Sequence, residues 1–228
     1  ILHFAAVVPD GNGIDDTEAN ATLTRRLDAN ILNASRKWQC PVIYASGCNL
    51  YTRRNSDYLT EADELGEHFS SPYLQAKRDG DVAYGAYSMG IVLRISAPIG
   101  IGLPKTTVLG LFLDVARNGK PIEVWGSGTR EQDYIDVRDI GFLVDRIIEA
   151  PAPGTFNVAR GNPTTMMELA KSVSQLVPGT RVVLGKREDR KEGVTARFCI
   201  NKSKNTFRWL PRASLDNSLH WILDGERQ

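Results

Sequence analysis

Apolar residues in this chain fall into short unbroken runs, separated by longer stretches in which they recur every three or four positions. Ile1-Leu2-His3-Phe4-Ala5-Ala6 reads as a buried strand, and Pro41-Val42-Ile43-Tyr44-Ala45-Ser46 and Ile91 to Ser96 as a second and third. Between them, Asp15 to Lys37 and Pro72 to Tyr87 carry the helical period. Strands alternating with helices predict an α/β chain with a parallel sheet and helices on its faces. Beyond Gly100 the pattern becomes more helical. Leu103 to Lys120 reads as a helix leading into a smaller lobe. Thr164 to Val177 is an amphipathic helix capped by Thr164 or Thr165, with Met167, Leu169, Ala170, Val173 and Leu176 as buried positions. Ser214 caps a last helix bearing Leu215, Leu219 and Ile222.

The second helix has the best-specified start. Ser71 suits the N-cap and Pro72 the first helical position, so Tyr73 and Lys77 lie one turn apart on one face. A phenol with an ordinary pKa of about 10 is a poor base at neutral pH, and a cation beside it favours the phenolate. Lys77 is therefore expected to lower the pKa of Tyr73 and make it a general acid or base. The preceding strand ends in Ser46, a small hydroxyl residue.

These segments in this order resemble the extended short-chain dehydrogenase/reductases, the NAD-dependent epimerase/dehydratase family. His3-Phe4-Ala5-Ala6 is similar to the strand that borders the nicotinamide ribose, and Tyr44-Ala45-Ser46 with Tyr51 to the strand and loop of the catalytic hydroxyl. Tyr73 and Lys77 match the catalytic pair, and Leu93 to Gly100 the strand and loop where a proline borders the nicotinamide. Gly126-Ser127-Gly128-Thr129-Arg130 through Asp133-Tyr134-Ile135-Asp136-Val137-Arg138-Asp139 resembles the substrate loop and return strand, with Phe156-Asn157-Val158 and Trp209-Leu210-Pro211 following. The resemblance implies a Rossmann-like doubly wound parallel sheet over residues 1–100 and a smaller C-terminal substrate lobe over 101–228, with 134–158 returning to the sheet. It implies NAD or NADP as cofactor, held by Phe4, Ala5, Ala6, Tyr73, Lys77 and Pro98. It further implies a nucleotide sugar or related polyol as substrate, met by Arg130 and Arg190. Family members commonly dimerise through two helices. Here those would be 15–37 and 72–87, with Leu23, Leu27, Ile31, Val82 and Tyr84 as the extra apolar residues.

Four departures from the family pattern bear on function. No G-x-G-x-x-G occurs, and Gly11-Asn12-Gly13 follows the wrong strand and lacks the third glycine. A βαβ portion carrying the pyrophosphate turn is expected upstream of Ile1, and residues 1–228 alone are not expected to hold a dinucleotide. Counting back from Tyr51, the resemblance puts the catalytic hydroxyl at Gly47, which has none; Ser46 or Cys48 would substitute through a shifted loop, and Ser46 is the residue expected to do so. Ala97 stands where an Asn precedes the proline, and Gln132 where an Arg precedes Asp133. The Gly47-Cys48-Asn49 stretch has no acidic pair, which ranks an epimerase or reductase above a dehydratase. The competing reading is a non-catalytic dinucleotide or sugar-nucleotide binding protein with a degraded active site.

Composition narrows this only from outside. A net charge of +1 with both signs interspersed gives no global attraction to nucleic acid or an anionic membrane. Cys40, Cys48 and Cys199 form no C-x-x-C pair, and His3, His68 and His220 are scattered, so no metal site is expected and a reduced, cytoplasmic setting is. No apolar stretch reaches the roughly 18 residues a membrane span requires.

Overall fold

The computed structural model describes residues 1–10, 14–52 and 58–225; Gly11-Asn12-Gly13 lies outside them. In chain order the elements are β1 (Leu2–His3), α1 (Glu18–Trp38), β2 (Val42–Gly47), α2 (Pro72–Gly85), β3 (Gly90–Ile95), β4 (Ala97–Ile99), α3 (Val108–Arg117) and β5 (Ile122–Val124). There follow β6 (Glu131–Gln132), β7 (Tyr134–Asp136), α4 (Val137–Glu149), β8 (Gly154–Val158), β9 (Thr164–Thr165), α5 (Met166–Leu176), β10 (Val182–Leu184), α6 (Asn201–Phe207) and α7 (Leu215–Gly225).

Four parallel strands in the order β1-β2-β3-β8 form the main sheet. Its strands are apolar on both sides, as a sheet covered on both faces requires. Val42, Tyr44 and Val92 point to α1 and α2, where Leu32 and Tyr84 meet them. Ile43, Ile91, Leu93, Phe156 and Val158 point the other way, onto Ile140, Leu143 and Ile147 of α4 and onto Phe207 and Trp209. This is the doubly wound, Rossmann-like arrangement. A second core beside it joins Leu109, Phe112 and Leu113 of α3, Leu169 and Val173 of α5, and Leu219 and Ile222 of α7. The pairs β4-β7 and β10-β5 belong to that side.

Caps explain most of the helix boundaries. Thr17 accepts from Asn20 N–H and opens α1, while Ser71 accepts from Leu74 N–H at 3.1 Å and opens α2 on Pro72. Thr107 accepts from Gly110 N–H, so α3 begins five residues later than the apolar pattern suggests. Thr165 and Glu168 cap α5 reciprocally. Met166 is fully buried there and Met167 only partly, the reverse of the expected emphasis.

Two expectations are corrected. The strand predicted over Ile1 to Ala6 is two residues long, and only His3 of it is buried; Phe4 is 47% exposed. The chain leaves the sheet after His3 and is taken up by α1 instead, where Val7 N–H donates to Thr24 Oγ1 at 3.1 Å. Tyr84 is not a surface residue of α2: it is fully buried, stacked on Tyr44 with ring centroids 4.3 Å apart.

Candidate active site

A cavity of about 680 Å³ opens where β2 and β3 end, the place where open α/β sheets receive ligands. Phe4, Ala6 and Val8, Tyr73 and Lys77 of α2, and Pro98, Arg130 and Lys191 are among the residues that line it. Ala5 is exposed and takes no part in the wall.

Tyr73 sits in the first turn of α2, and that turn is staked from outside. Asp16 accepts from Tyr73 N–H at 2.8 Å and from the Ser71 hydroxyl. Burial raises the Tyr73 phenol above its ordinary pKa, and the charges of Asp28 and Asp16 add to the effect. This corrects the expectation that Lys77 lowers it. The Lys77 ammonium lies over the Tyr44 ring, 4.0 Å from its centroid, and makes no hydrogen bond among the described residues. Burial lowers Lys77 to about 8, opposed by Asp28 and Asp81. An ammonium with its donors unengaged, in a cavity also lined by apolar Phe4, Val8 and Pro98, suits a ribose and nicotinamide.

Two buried carboxylates influence Lys77. Asp28 on α1 accepts from Tyr44 Oη at 3.0 Å and pairs with His3 Nε2 at 2.7 Å, and its main-chain carbonyl accepts from Tyr84 Oη at 2.8 Å. Gly80 makes the approach possible, since a β-carbon there would overlap both the Tyr44 hydroxyl and the Asp28 carboxylate. Asp81, one turn beyond Lys77, takes two bonds from Arg94, at 2.8 and 3.0 Å. Burial opposes the charge of Arg94, and the hydrogen bonds and charge of Asp81 more than offset it, so its pKa is raised. Arg94 also donates to Tyr51 Oη, which in turn donates to Asn157 Oδ1 at 2.6 Å.

The candidate hydroxyl belongs to this second network. Ser46 reaches the cavity wall, but its Oγ donates to Asp81 at 2.6 Å, so its proton is turned away from a ligand. This corrects its assignment as the hydroxyl that donates to substrate. Cys48 is buried and its thiol donates to the Arg94 carbonyl. On the far wall, Arg130 lines the cavity and pairs with Asp189 through Nε at 2.6 Å. Arg190 is exposed and outside the wall; its neighbour Lys191 lines it instead. Asp133, fully buried, also lines it, raised by burial although Arg160 N–H, Gly161 N–H and the Ser96 hydroxyl donate to it. Asp28, Asp81, Asn49 and Lys191 were not singled out from the sequence. The available signals were the eight-residue spacing Tyr73-Lys77-Asp81 and the missing side chain at position 47.

A doubly wound parallel sheet with a Tyr and a Lys one turn apart at its ligand crevice defines a class, the short-chain dehydrogenase type of nucleotide-cofactor protein. The NAD dependent epimerase/dehydratase family matches residues 1–159, well over half the chain, and the chain belongs to that family. It is 27% identical over 194 residues to the UDP-glucose 4-epimerase of Mycolicibacterium smegmatis, covering 78% of this chain and 59% of that protein. It is 25% identical over 179 residues to the dTDP-glucose 4,6-dehydratase of Neisseria gonorrhoeae, covering 69% of this chain and 52% of that protein. The chain thus spans between half and three-fifths of these relatives. Among solved structures, the UDP-glucose 4-epimerase of Thermotoga maritima with UDP-glucose superimposes with a TM-score of 0.82 at 21% identity, over 99% of this chain and 76% of the other. The Bordetella bronchiseptica enzyme WbmG, in complex with NAD and UDP, gives 0.81 at 17% identity, over 98% and 71%. Among the described residues, no helix is long and apolar enough to cross a membrane.

Proposed function

We propose that this chain carries the acid–base and substrate part of an NAD- or NADP-dependent epimerase or reductase acting on a nucleotide-linked sugar. The observation that carries the reading is the pairing of Tyr73 with a buried, hydrogen-bond-free Lys77 in one cavity. The cofactor, when bound, supplies a two-electron hydride acceptor and donor at its nicotinamide. Phe4, Ala6 and Pro98 line its nicotinamide side, and the Lys77 ammonium takes the ribose hydroxyls. Tyr73 exchanges the proton of the sugar hydroxyl at the carbon that changes oxidation state. Raised by burial, it rests as a phenol, poised to give a proton in the reductive direction. The oxidative direction requires the Lys77 charge to reach its oxygen once the site is filled. Arg130 and Lys191 offer cations for the nucleotide diphosphate, Arg130 through a planar fork.

The test is Tyr73→Phe in the full-length enzyme, assayed with NAD and NADP against UDP-glucose and dTDP-glucose. Turnover falls by about 10²–10⁴-fold with the melting temperature unchanged. Retention of more than about a tenth of the rate removes Tyr73 from the chemistry, since a positioned acid or base contributes far more than that.

A second reading, sugar-nucleotide binding without turnover, is favoured by one observation, the commitment of the Ser46 hydroxyl to Asp81. Tight binding of UDP-glucose with no turnover on either cofactor would establish it. We also propose a homodimer through α1 and α2, supported by Leu23, Leu27 and Val82, which are 45%, 38% and 50% exposed. A monomer by light scattering at micromolar concentration would reject it.

A further inference from the structure

Across the sheet from α2, on the face covered by α4 and the segment that follows α6, lies a second cavity of about 670 Å³. It shares no lining residue with the cavity around Tyr73, and its size is that of a small-molecule site. Lys204, Arg208 and Arg212 line it, and no carboxylate does. The whole chain carries a net charge of only +1, so three cations around one cavity are a local concentration of charge. Part of this has a simple cause, since cations gather at helix C-termini and Lys204 and Arg208 stand at the end of α6. Arg212, four residues further on, is not explained that way. Its guanidinium lies over the Phe142 ring of α4, 4.0 Å from the centroid. An arginine stacked on a ring is held in place while its N–H edge stays free for a planar acceptor. The Asp139 carboxylate accepts from the Arg212 and Ala213 amides at 2.9 and 3.0 Å, so it is spent on the backbone and does not neutralise the guanidinium. The fully buried Trp209 steadies the same strap, its indole donating to the Asp139 carbonyl at 3.0 Å. Exposed Leu210 and half-buried Pro211 add apolar surface to the wall.

We infer that this cavity is a second ligand site, which binds a nucleotide through its phosphates, apart from the crevice used by the proposed function. Arg212 takes the phosphate oxygens through its fork, Lys204 and Arg208 add point contacts, and the base rests on the Leu210–Pro211 wall. Inorganic phosphate alone would use the cations and leave the apolar wall empty. A nucleotide joins the two chemistries that the wall offers. The inference does not depend on what Tyr73 does.

The test is calorimetric titration of the full-length protein with UDP and, separately, with inorganic pyrophosphate. Arg208→Gly/Arg212→Gln is the main variant. Arg208 holds φ 49° and ψ 42°, a left-handed cap that glycine fills more easily than arginine, and glutamine keeps the amide that Asp139 accepts. The side chains are thus removed with the backbone left at ease, and a cooperative thermal transition confirms that the variant folds. Each charge-assisted contact is worth about tenfold in affinity, so the double variant weakens one UDP site by about a hundredfold. Arg130→Gln leaves that site unchanged and weakens only UDP held in the Tyr73 cavity; a failure of that second effect bears on the proposed function alone. UDP binds at the new site at least about tenfold more tightly than pyrophosphate, because only UDP meets the apolar wall. Equal affinities would overturn the assignment to a nucleotide. Undiminished UDP binding in the double variant, or no UDP binding by the wild type up to millimolar concentration, would overturn the site itself. Should the double variant fail to fold, the exposed Lys204→Gln carries the same test, with a loss of about tenfold expected and an unchanged affinity overturning the site.

Discussion

Asp81 and Asp28 both bear on the buried Lys77 ammonium, yet their surroundings differ. Asp81 is gripped by the two-pronged guanidinium of Arg94 and by the Ser46 hydroxyl. Arginine keeps its proton under all ordinary conditions, and its fork matches a carboxylate, so this arm is a fixed charge pair. Asp28 is held by an imidazole and by a phenol whose proton burial and the Asp28 charge keep in place, and it also bears on Tyr73. The first arm fixes the geometry of the β2–α2–β3 junction. The second sets the charge at the site, since Asp28 supports the Lys77 ammonium and holds the Tyr73 phenol up. The two roles are separable by substitution.

The largest effect is expected at the fixed pair. Arg94→Met strands Asp81 without its cation, and removal of one partner from a buried pair costs about 3–5 kcal/mol. Adding Asp81→Asn recovers much of the loss, which urea titration of the single and double variants will read. If Arg94→Met alone is neutral, the two arms do not differ as described.

Gly80→Ala comes next. Its β-carbon would press on the Tyr44 ring and the Asp28 carboxylate, both in packed surroundings, at a cost of about 1–3 kcal/mol for overpacking. The loss should be smaller in an Asp28→Ala background, where one of the obstructing groups is gone.

The smallest effect on stability, and the sharpest on pH, belongs to Asp28→Asn. If the proposed function holds, wild-type activity is expected to fall as pH rises through about 8, where Lys77 loses its proton. Without the Asp28 charge, the Lys77 pKa drops further and the fall moves to lower pH, readable in a kcat/KM profile. The stability linkage has the opposite sign. Between about 8 and 10.5 the unfolded chain binds more protons at Lys77 than the folded chain does, so this group makes the wild type more stable as pH rises across that window.

These arms also mark how far the sequence could be read. Val42–Gly47 and Gly90–Ile95 were legible because fully covered parallel strands are continuous apolar runs. The start of α2 was legible because Ser71 and Pro72 act through local backbone geometry. The strand at Ile1 was overextended because an apolar run does not reveal where its partner strand stops offering hydrogen bonds; pairing covers only Leu2 with Ile43 and His3 with Tyr44. Neither His3 with Asp28 nor Arg94 with Asp81 is spaced as neighbours on one element; each pair meets only when separate elements dock. Ser46 was chosen for its chemistry, and the structure decided by its neighbour.

One small feature ties the two sides of the cavity together. Asp16 precedes α1 on the segment that leads on from Phe4, Ala6 and Val8, yet it clamps the Ser71 hydroxyl and the Tyr73 amide at the head of α2. The stretch that lines the cavity through Phe4, Ala6 and Val8 is thus latched to the backbone of Tyr73. A displacement of one is expected to reach the other through a single carboxylate. Asp16 is therefore expected to behave as a residue outside the cavity lining that still sets the alignment of Tyr73.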